Sequence, residues 1–274
     1  MDIETAKATF RSPNWADYPE LAGYTREQIY DKTMGGGALY LAAHMARSMG
    51  LRPGEIILDL GCGHGATSMF LARRYGVQVI AVDLWTSATS LHERIAASGF
   101  RDRIVPLNLD AAGRLPFADG YFDAIFSMNS FSFYGGSVEF LRHLLPHLKP
   151  GGILCVGSEV LSDEFTEEQL RNPPHVYSFH LPPPNQGVDV FEGDFKKQHT
   201  PAWWKNLFES SGLLEVLNCH ELEDADVLYE DMVLFEHEHQ IDSFDVAICL
   251  EQIEWATSGN RPMKSLFTIT ARKL

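Results

Sequence analysis

The chain has 274 residues, is 45% hydrophobic, and sets 22 Lys and Arg against 37 Asp and Glu, a formal net charge of −15. That balance opposes nucleic acid and anionic lipid, whose phosphates are met by Lys and Arg. No apolar run is long enough for a membrane helix, the first residues lack the layout of a secretory signal, and the 4 cysteines form no CxxC pair, so the expectation is a cytoplasmic protein with reduced thiols and no nucleic-acid or membrane partner.

Taken in chain order, Thr25–Met49 predicts a helical lead-in, with glycines in "DKTMGGGALYLAAHM" before an apolar face of Leu39, Ala42, Ala43 and Met45. Then short apolar runs alternate with helical patterns. The runs "EIILDL" (Glu55–Leu60), "VQVIAV" (Val77–Val82), "RIVPLNL" (Arg103–Leu109), "FDAIFSM" (Phe122–Met128) and "GILCVGS" (Gly152–Ser158) read as strands buried on both faces. Ala66–Tyr75, Thr86–Ser98 and Ser137–Leu148 read as helices, the last stopped by "KPGG". This alternation implies right-handed βαβ units and a doubly wound sheet.

After Ser158 the texture changes. Residues Glu159–Gln198 are rich in Pro, acids and His and read as an inserted cap. The pattern resumes with helix Pro201–Ser211, strand Leu213–Cys219, a helical region from about Val227 to Ala256, and a last strand, "SLFTITAR". The expected organisation is one domain over 1–274, with a lead-in over 1–50 and a cap over about 159–200.

The turn "GCGHG" (Gly61–Gly65) joins the first strand to the first helix of this alternation. Backbone N–H groups and a positive helix end approach a ligand there, because glycine has no Cβ. Asp83 ends the second strand, where an acid commonly meets ribose hydroxyls. A dinucleotide and S-adenosylmethionine both fit this outline. The dinucleotide fingerprint asks for glycine where Ala66 stands, and none of the 9 tyrosines has a Lys four residues on, as a short-chain dehydrogenase requires. Asp59, within the first strand, adds negative charge that suits a sulfonium and an amino group better than a pyrophosphate.

"ILDLGCGHG", "VIAVDLW", "LDAAGRLPFADGYFDAIFSMNSF" and "LLPHLKPGGILCVGSE" occur in that order, and together they resemble the successive motifs of class I S-adenosylmethionine-dependent methyltransferases of the bacterial small-molecule type. The resemblance covers Leu51 to Glu159 and extends loosely to the C-terminal strands. It implies a Rossmann-like methyltransferase fold, an α/β doubly wound, seven-stranded, mostly parallel sheet with an inserted cap and N-terminal helices. It also implies S-adenosylmethionine as cofactor. Gly61 and Gly63 would face its methionine part, with Cys62 between them in the cofactor-binding turn, Asp59 would meet its amino group through water, and Asp83 its ribose. Leu84 and Trp85 would flank the adenine, with Asp110 and Ala111 at its edge. Asn129 and Ser130 would line the methionine side, and Met34 and Gly35 would touch the carboxylate.

The acceptor is less legible, because an in-line displacement needs alignment more than dedicated catalytic groups. "NPPH" (Asn172–His175) resembles an amino-methyltransferase motif but follows the fifth strand rather than the fourth, so it reads as turn chemistry. If "HVYSFH" (His175–His180) is extended, His175 and Tyr177 share a face with Phe179. His175, Tyr177 and Tyr30 are the candidate catalytic residues, and Tyr134 is a second tyrosine at the expected mouth. "FEHEHQ" (Phe235–Gln240) places His237 and His239 two apart on a helix, where they do not share a metal, so no metal is expected. His64 reads as a local packing residue. The expectation is methyl transfer to a small molecule, an amine being favoured by the acidic cap. Carbon methylation or cyclopropanation of a lipid chain, and non-catalytic cofactor binding, stand as alternatives.

Overall fold

The structure is a computed structural model that describes residues 1–30, 38–178, 189–193, 195–239, 249–251, 253–254 and 264–274. Its helices are α1 (Ile3–Thr9), α2 (Arg26–Tyr30), α3 (Ala38–Arg47), α4 (Ala66–Tyr75), α5 (Ala88–Ala97), α6 (Val138–Leu144), α7 (Glu167–Arg171), α8 (Val190–Gly193), α9 (Pro201–Ser210) and α10 (Ala225–His239). Its strands are β1 (Ile56–Leu60), β2 (Gln78–Asp83), β3 (Ile104–Asn108), β4 (Phe122–Met128), β5 (Leu148–Leu161), β6 (Leu214–Glu221) and β7 (Lys264–Lys273). They form one sheet in the order β3-β2-β1-β4-β5-β7-β6. The first five are parallel, whereas β7 runs antiparallel to both β5 and β6.

Alternation along the strands divides the core into two layers. Ile57, Val79, Ala81, Ala124 and Phe126 pack with Leu39, Ala43 and Met45 of α3, Phe70 of α4 and Leu91 of α5. Leu58, Leu60, Ile125 and Val156 pack on the other face with Phe140 and Leu144 of α6 and Trp204 and Phe208 of α9. Both sheet faces are therefore apolar, as a helix-covered parallel sheet requires. The strand order reverses between β1 and β4, so a crevice opens beyond their carboxyl ends.

Several sequence expectations shift. The helix before "KPGG" ends earlier than Leu148, in a 3-10 turn over Leu145–His147, and β5 already begins at Leu148. The extra residues bulge: Phe122 pairs with Leu148 but Ala124 with Ile153, and Gly151 takes φ +73°. β5 continues to Leu161, with Glu159 opposite Leu266, so the first residues assigned to the cap belong to the sheet. The lead-in starts earlier than Thr25. Asp2 caps α1, and its Ala6 packs against Val233 of α10. The face drawn on α3 is too narrow, since Tyr40, Leu41 and Ala46 are also buried.

Candidate active site

Three segments converge where the sheet reverses. β1 ends in the glycine turn, where Gly61, Gly63 and Gly65 have φ of +75°, +53° and +84°. L-residues rarely adopt such angles, which is why this turn is written in glycine. The Gly61 and Cys62 amides both donate to the Val82 carbonyl, tying the turn to β2.

Asp83 organises the neighbouring turn and is buried. Its Oδ2 accepts from the Gly63 amide at 2.9 Å, and its Oδ1 accepts from the amides of Trp85 and Thr86, each at 2.8 Å. Asn108, at the end of β3, donates its side-chain amide to the carbonyls of Asp83, Leu84 and Thr86. Sequence reasoning missed Asn108; its signal was a polar residue closing the third apolar run. The turn leaves Leu84 and Trp85 exposed, Trp85 at 70%, with Phe133 meeting Trp85 edge-on at a centroid distance of 6.0 Å.

Asp59 lies one strand over and is fully enclosed. Its Oδ2 accepts from the Thr67 and Ser68 hydroxyls of α4, each at 2.6 Å. Burial pushes its pKa up to about 6; the two hydroxyl donors oppose that shift and the Asp83 charge adds to it. Neither Asp59 nor Asp83 is ion-paired among the described residues.

The third segment follows β4. Asn129 adopts φ +53°, and its amide donates to the Gly157 carbonyl. Ser130 donates to the Leu60 carbonyl at 2.6 Å and lies 2.7 Å from the Ser127 hydroxyl. A Cβ built on Gly61 would sit 2.3 Å from the Ser130 Cβ and 3.5 Å from the Tyr134 hydroxyl. Tyr134 stacks on Phe140 at 4.9 Å; burial raises its pKa, reinforced by Asp83, Cys62, Asp110 and Asp59. Its hydroxyl lies beside the Gly61 turn. Asp110 is exposed and accepts from the Ala112 amide, whereas Ala111 is buried. His64 contributes its carbonyl to Arg94.

The remaining candidates are dispersed. Met34, Gly35, Phe179 and His180 lie outside the described residues. His175 to Tyr177 form a turn, not an extended strand: the amides of Tyr177 and Ser178 both bond to the Pro174 carbonyl. The period-two face therefore fails, leaving His175 exposed while Tyr177 is buried among Phe165 and Phe195. Tyr30 is buried and donates to Asp231, which also pairs with Arg26; burial raises its pKa, followed by Tyr40 and Asp231. Asn172 closes α7 and donates to Glu168, a turn role for "NPPH". His239 stacks on Phe235 at 4.0 Å, and Glu238 pairs with Arg26. Among the described residues no group of three His, Cys, Asp or Glu could hold a metal, and no helix is long and apolar enough to cross a membrane.

Comparison with known proteins agrees with this geometry. Residues 57–152 match the family described as "Methyltransferase domain". The chain is 31% identical over 138 residues to erythromycin 3''-O-methyltransferase of Saccharopolyspora erythraea, covering 50% of this chain and 44% of that protein. It is 27% identical over 176 residues to glycine/sarcosine/dimethylglycine N-methyltransferase of Actinopolyspora halophila, covering 64% and 30%. The chain thus spans less than half the length of either relative. Phosphoethanolamine N-methyltransferase 2 of Haemonchus contortus, solved with S-adenosyl-L-methionine, shares the fold at a TM-score of 0.68 and 16% identity, covering 95% of this chain and 60% of that one. The family match thus covers residues 57–152, and the fold is one that a solved methyltransferase shares.

Proposed function

We propose that this protein transfers the methyl group of S-adenosylmethionine to a small organic acceptor. The observation that carries the reading is the pair of enclosed acids, Asp59 and Asp83, without a cation partner among the described residues. Uncompensated anions at depth are costly. A ligand bearing hydroxyls, an ammonium and a sulfonium offsets that cost, whereas a pyrophosphate adds to it.

In this reading Asp83 keeps the ribose hydroxyls within reach while holding the Gly63 amide, and Asp59 faces the amino group. Gly61, Cys62 and Gly63 provide bare backbone, and Asn129 and Ser130 line the methionine side. Leu84, Trp85, Asp110 and Ala111 surround the adenine. The bound cofactor supplies an electrophilic methyl carbon; the protein aligns it and excludes water. The relatives named above transfer to oxygen and to nitrogen, so the acceptor atom rests on further evidence.

Calorimetry with S-adenosylhomocysteine and with NAD, followed by acceptor screening for S-adenosylhomocysteine release, tests the proposal. Tight NAD binding with no response to S-adenosylhomocysteine would sink it. Cofactor binding without turnover on any acceptor would favour a binding protein.

A further inference from the structure

We propose that His199 is the general base of this active site, held by Glu164, and that the acceptor therefore carries a removable proton on oxygen, sulfur or nitrogen. This rests on the methyl-transfer reading above. His199 lies beside the carboxyl end of β5: its carbonyl accepts from the amide of Leu161, the last residue of that strand. Its ring lies 3.7 Å from that of Trp203, at an interplanar angle of 8°. Trp203 in turn reaches to 3.1 Å from where a Cβ on Gly136 would stand, in the loop that carries Tyr134 over Gly61. Two residues before His199, Lys197 places its ammonium 5.5 Å from the Phe133 ring, which contacts Trp85. The histidine thus shares a rim with the exposed aromatic pair.

The second oxygen of the dyad explains why the ring is fixed. Glu164 Oε2 is 2.8 Å from His199 Nδ1, while Oε1 accepts from the Thr200 amide and hydroxyl, each at 2.8 Å. Both oxygens are committed, so the carboxylate cannot rotate away. Burial alone would raise the Glu164 pKa, but the Thr200 amide, His199 and the Thr200 hydroxyl together lower it. An ionised carboxylate only accepts hydrogen bonds, so in the neutral imidazole the proton sits on Nδ1 and the lone pair on Nε2. A carboxylate behind an imidazole holds the tautomer and stabilises the imidazolium formed on proton uptake.

The step balances without another reagent. Nε2 takes the proton from the acceptor's O–H, S–H or N–H. The freed electron pair forms the bond to the methyl carbon, and the carbon–sulfur bond breaks with its pair going to sulfur. The products are the methylated acceptor and S-adenosylhomocysteine, and the imidazolium returns its proton to water. Acceptors that lack such a proton, such as tertiary amines and thioethers, need no dyad.

Three variants separate this role from helix capping. With phenol as probe, His199→Gln is expected to lose at least 100-fold in kcat, and much less with a nitrophenol already ionised at the assay pH. Glu164→Gln is expected to lower kcat for phenol about 10-fold or more with KM little changed, because the imidazolium formed in the step loses its anion. Thr200→Ala should lower the melting temperature and leave kcat near that of the wild type. Independently of turnover, diethyl pyrocarbonate should acylate His199, as mapped by mass spectrometry, and S-adenosylhomocysteine plus phenol should protect it. A phenol rate in His199→Gln within twofold of wild type, or acylation that those ligands leave unchanged, would overturn the proposal. If the wild-type protein methylates no probe, the methyl-transfer reading is what fails, and the protection experiment still decides whether His199 faces the site.

Discussion

Asp83 and Gly63 are joined by a 2.9 Å hydrogen bond that runs from the end of one strand to the turn after its neighbour. One carboxylate thereby sets the spacing of two loops between which a ligand is to lie. It does so while buried and without a cationic partner among the described residues.

Replacing Asp83 with Ala removes that bond, the two bonds to Trp85 and Thr86, and the proposed ribose contact. A hydrogen bond to a charged group contributes about 1.5–3 kcal/mol, so S-adenosylhomocysteine affinity should fall about 10- to 100-fold by calorimetry. An unchanged affinity would remove Asp83 from the cofactor site.

Asp59 makes a pH-dependent contribution whose sign is fixed by burial. It titrates near 6 when folded, against 3.8 for the exposed group. Between those values the folded state holds the extra proton, so stability is greatest below 3.8 and is lost as pH rises through 6. Asp59→Asn keeps an oxygen for Thr67 and Ser68 and removes the titration. Urea unfolding should show the variant gaining on wild type by up to about 3 kcal/mol between pH 4 and pH 7. A constant difference across that range would contradict the assignment.

Gly61→Ala combines a left-handed backbone, φ +75°, with a Cβ placed 2.3 Å from the Ser130 Cβ. The neighbour is a short side chain held by two hydrogen bonds, so it has little room to yield. A cost of about 2 kcal/mol or more is expected in unfolding experiments, together with loss of cofactor binding.

Tyr30→Phe tests a residue first chosen as catalytic. The phenol is enclosed, donates to Asp231, and stacks on Phe235 at 4.7 Å. Its removal leaves Asp231 with one donor fewer, which should cost about 1–3 kcal/mol of stability. Turnover per folded molecule should be preserved; a large fall in kcat would restore Tyr30 to the mechanism.

The side proposed for the cofactor was legible as a pattern because its elements are local in sequence. Strand, glycine turn and helix are contiguous from Ile56 to Tyr75, and the acid and its turn follow directly at Asp83. The acceptor side was not, because its relationships are long-range. Glu164 and His199 are separated by 35 positions, and nothing in either neighbourhood announces the other. "HVYSFH" misled for a related reason. Its alternation imitates a strand, but Pro174 accepts from both Tyr177 and Ser178 and closes a turn. Tyr134 lies by the glycine turn for a reason no pattern conveys, its stacking on Phe140.

The strand order carries a lesson about time as well as space. β7 follows β6 in the chain, yet it lies between β5 and β6. Until it emerges, β6 has no partner in the sheet and β5 has a bare outer edge, while Trp204 and Phe208 of α9 lack the Phe267 and Ile269 surface they share. The nascent chain can assemble the crevice early, but it must present an open sheet edge until β7 emerges, and such an edge recruits chaperones or other chains.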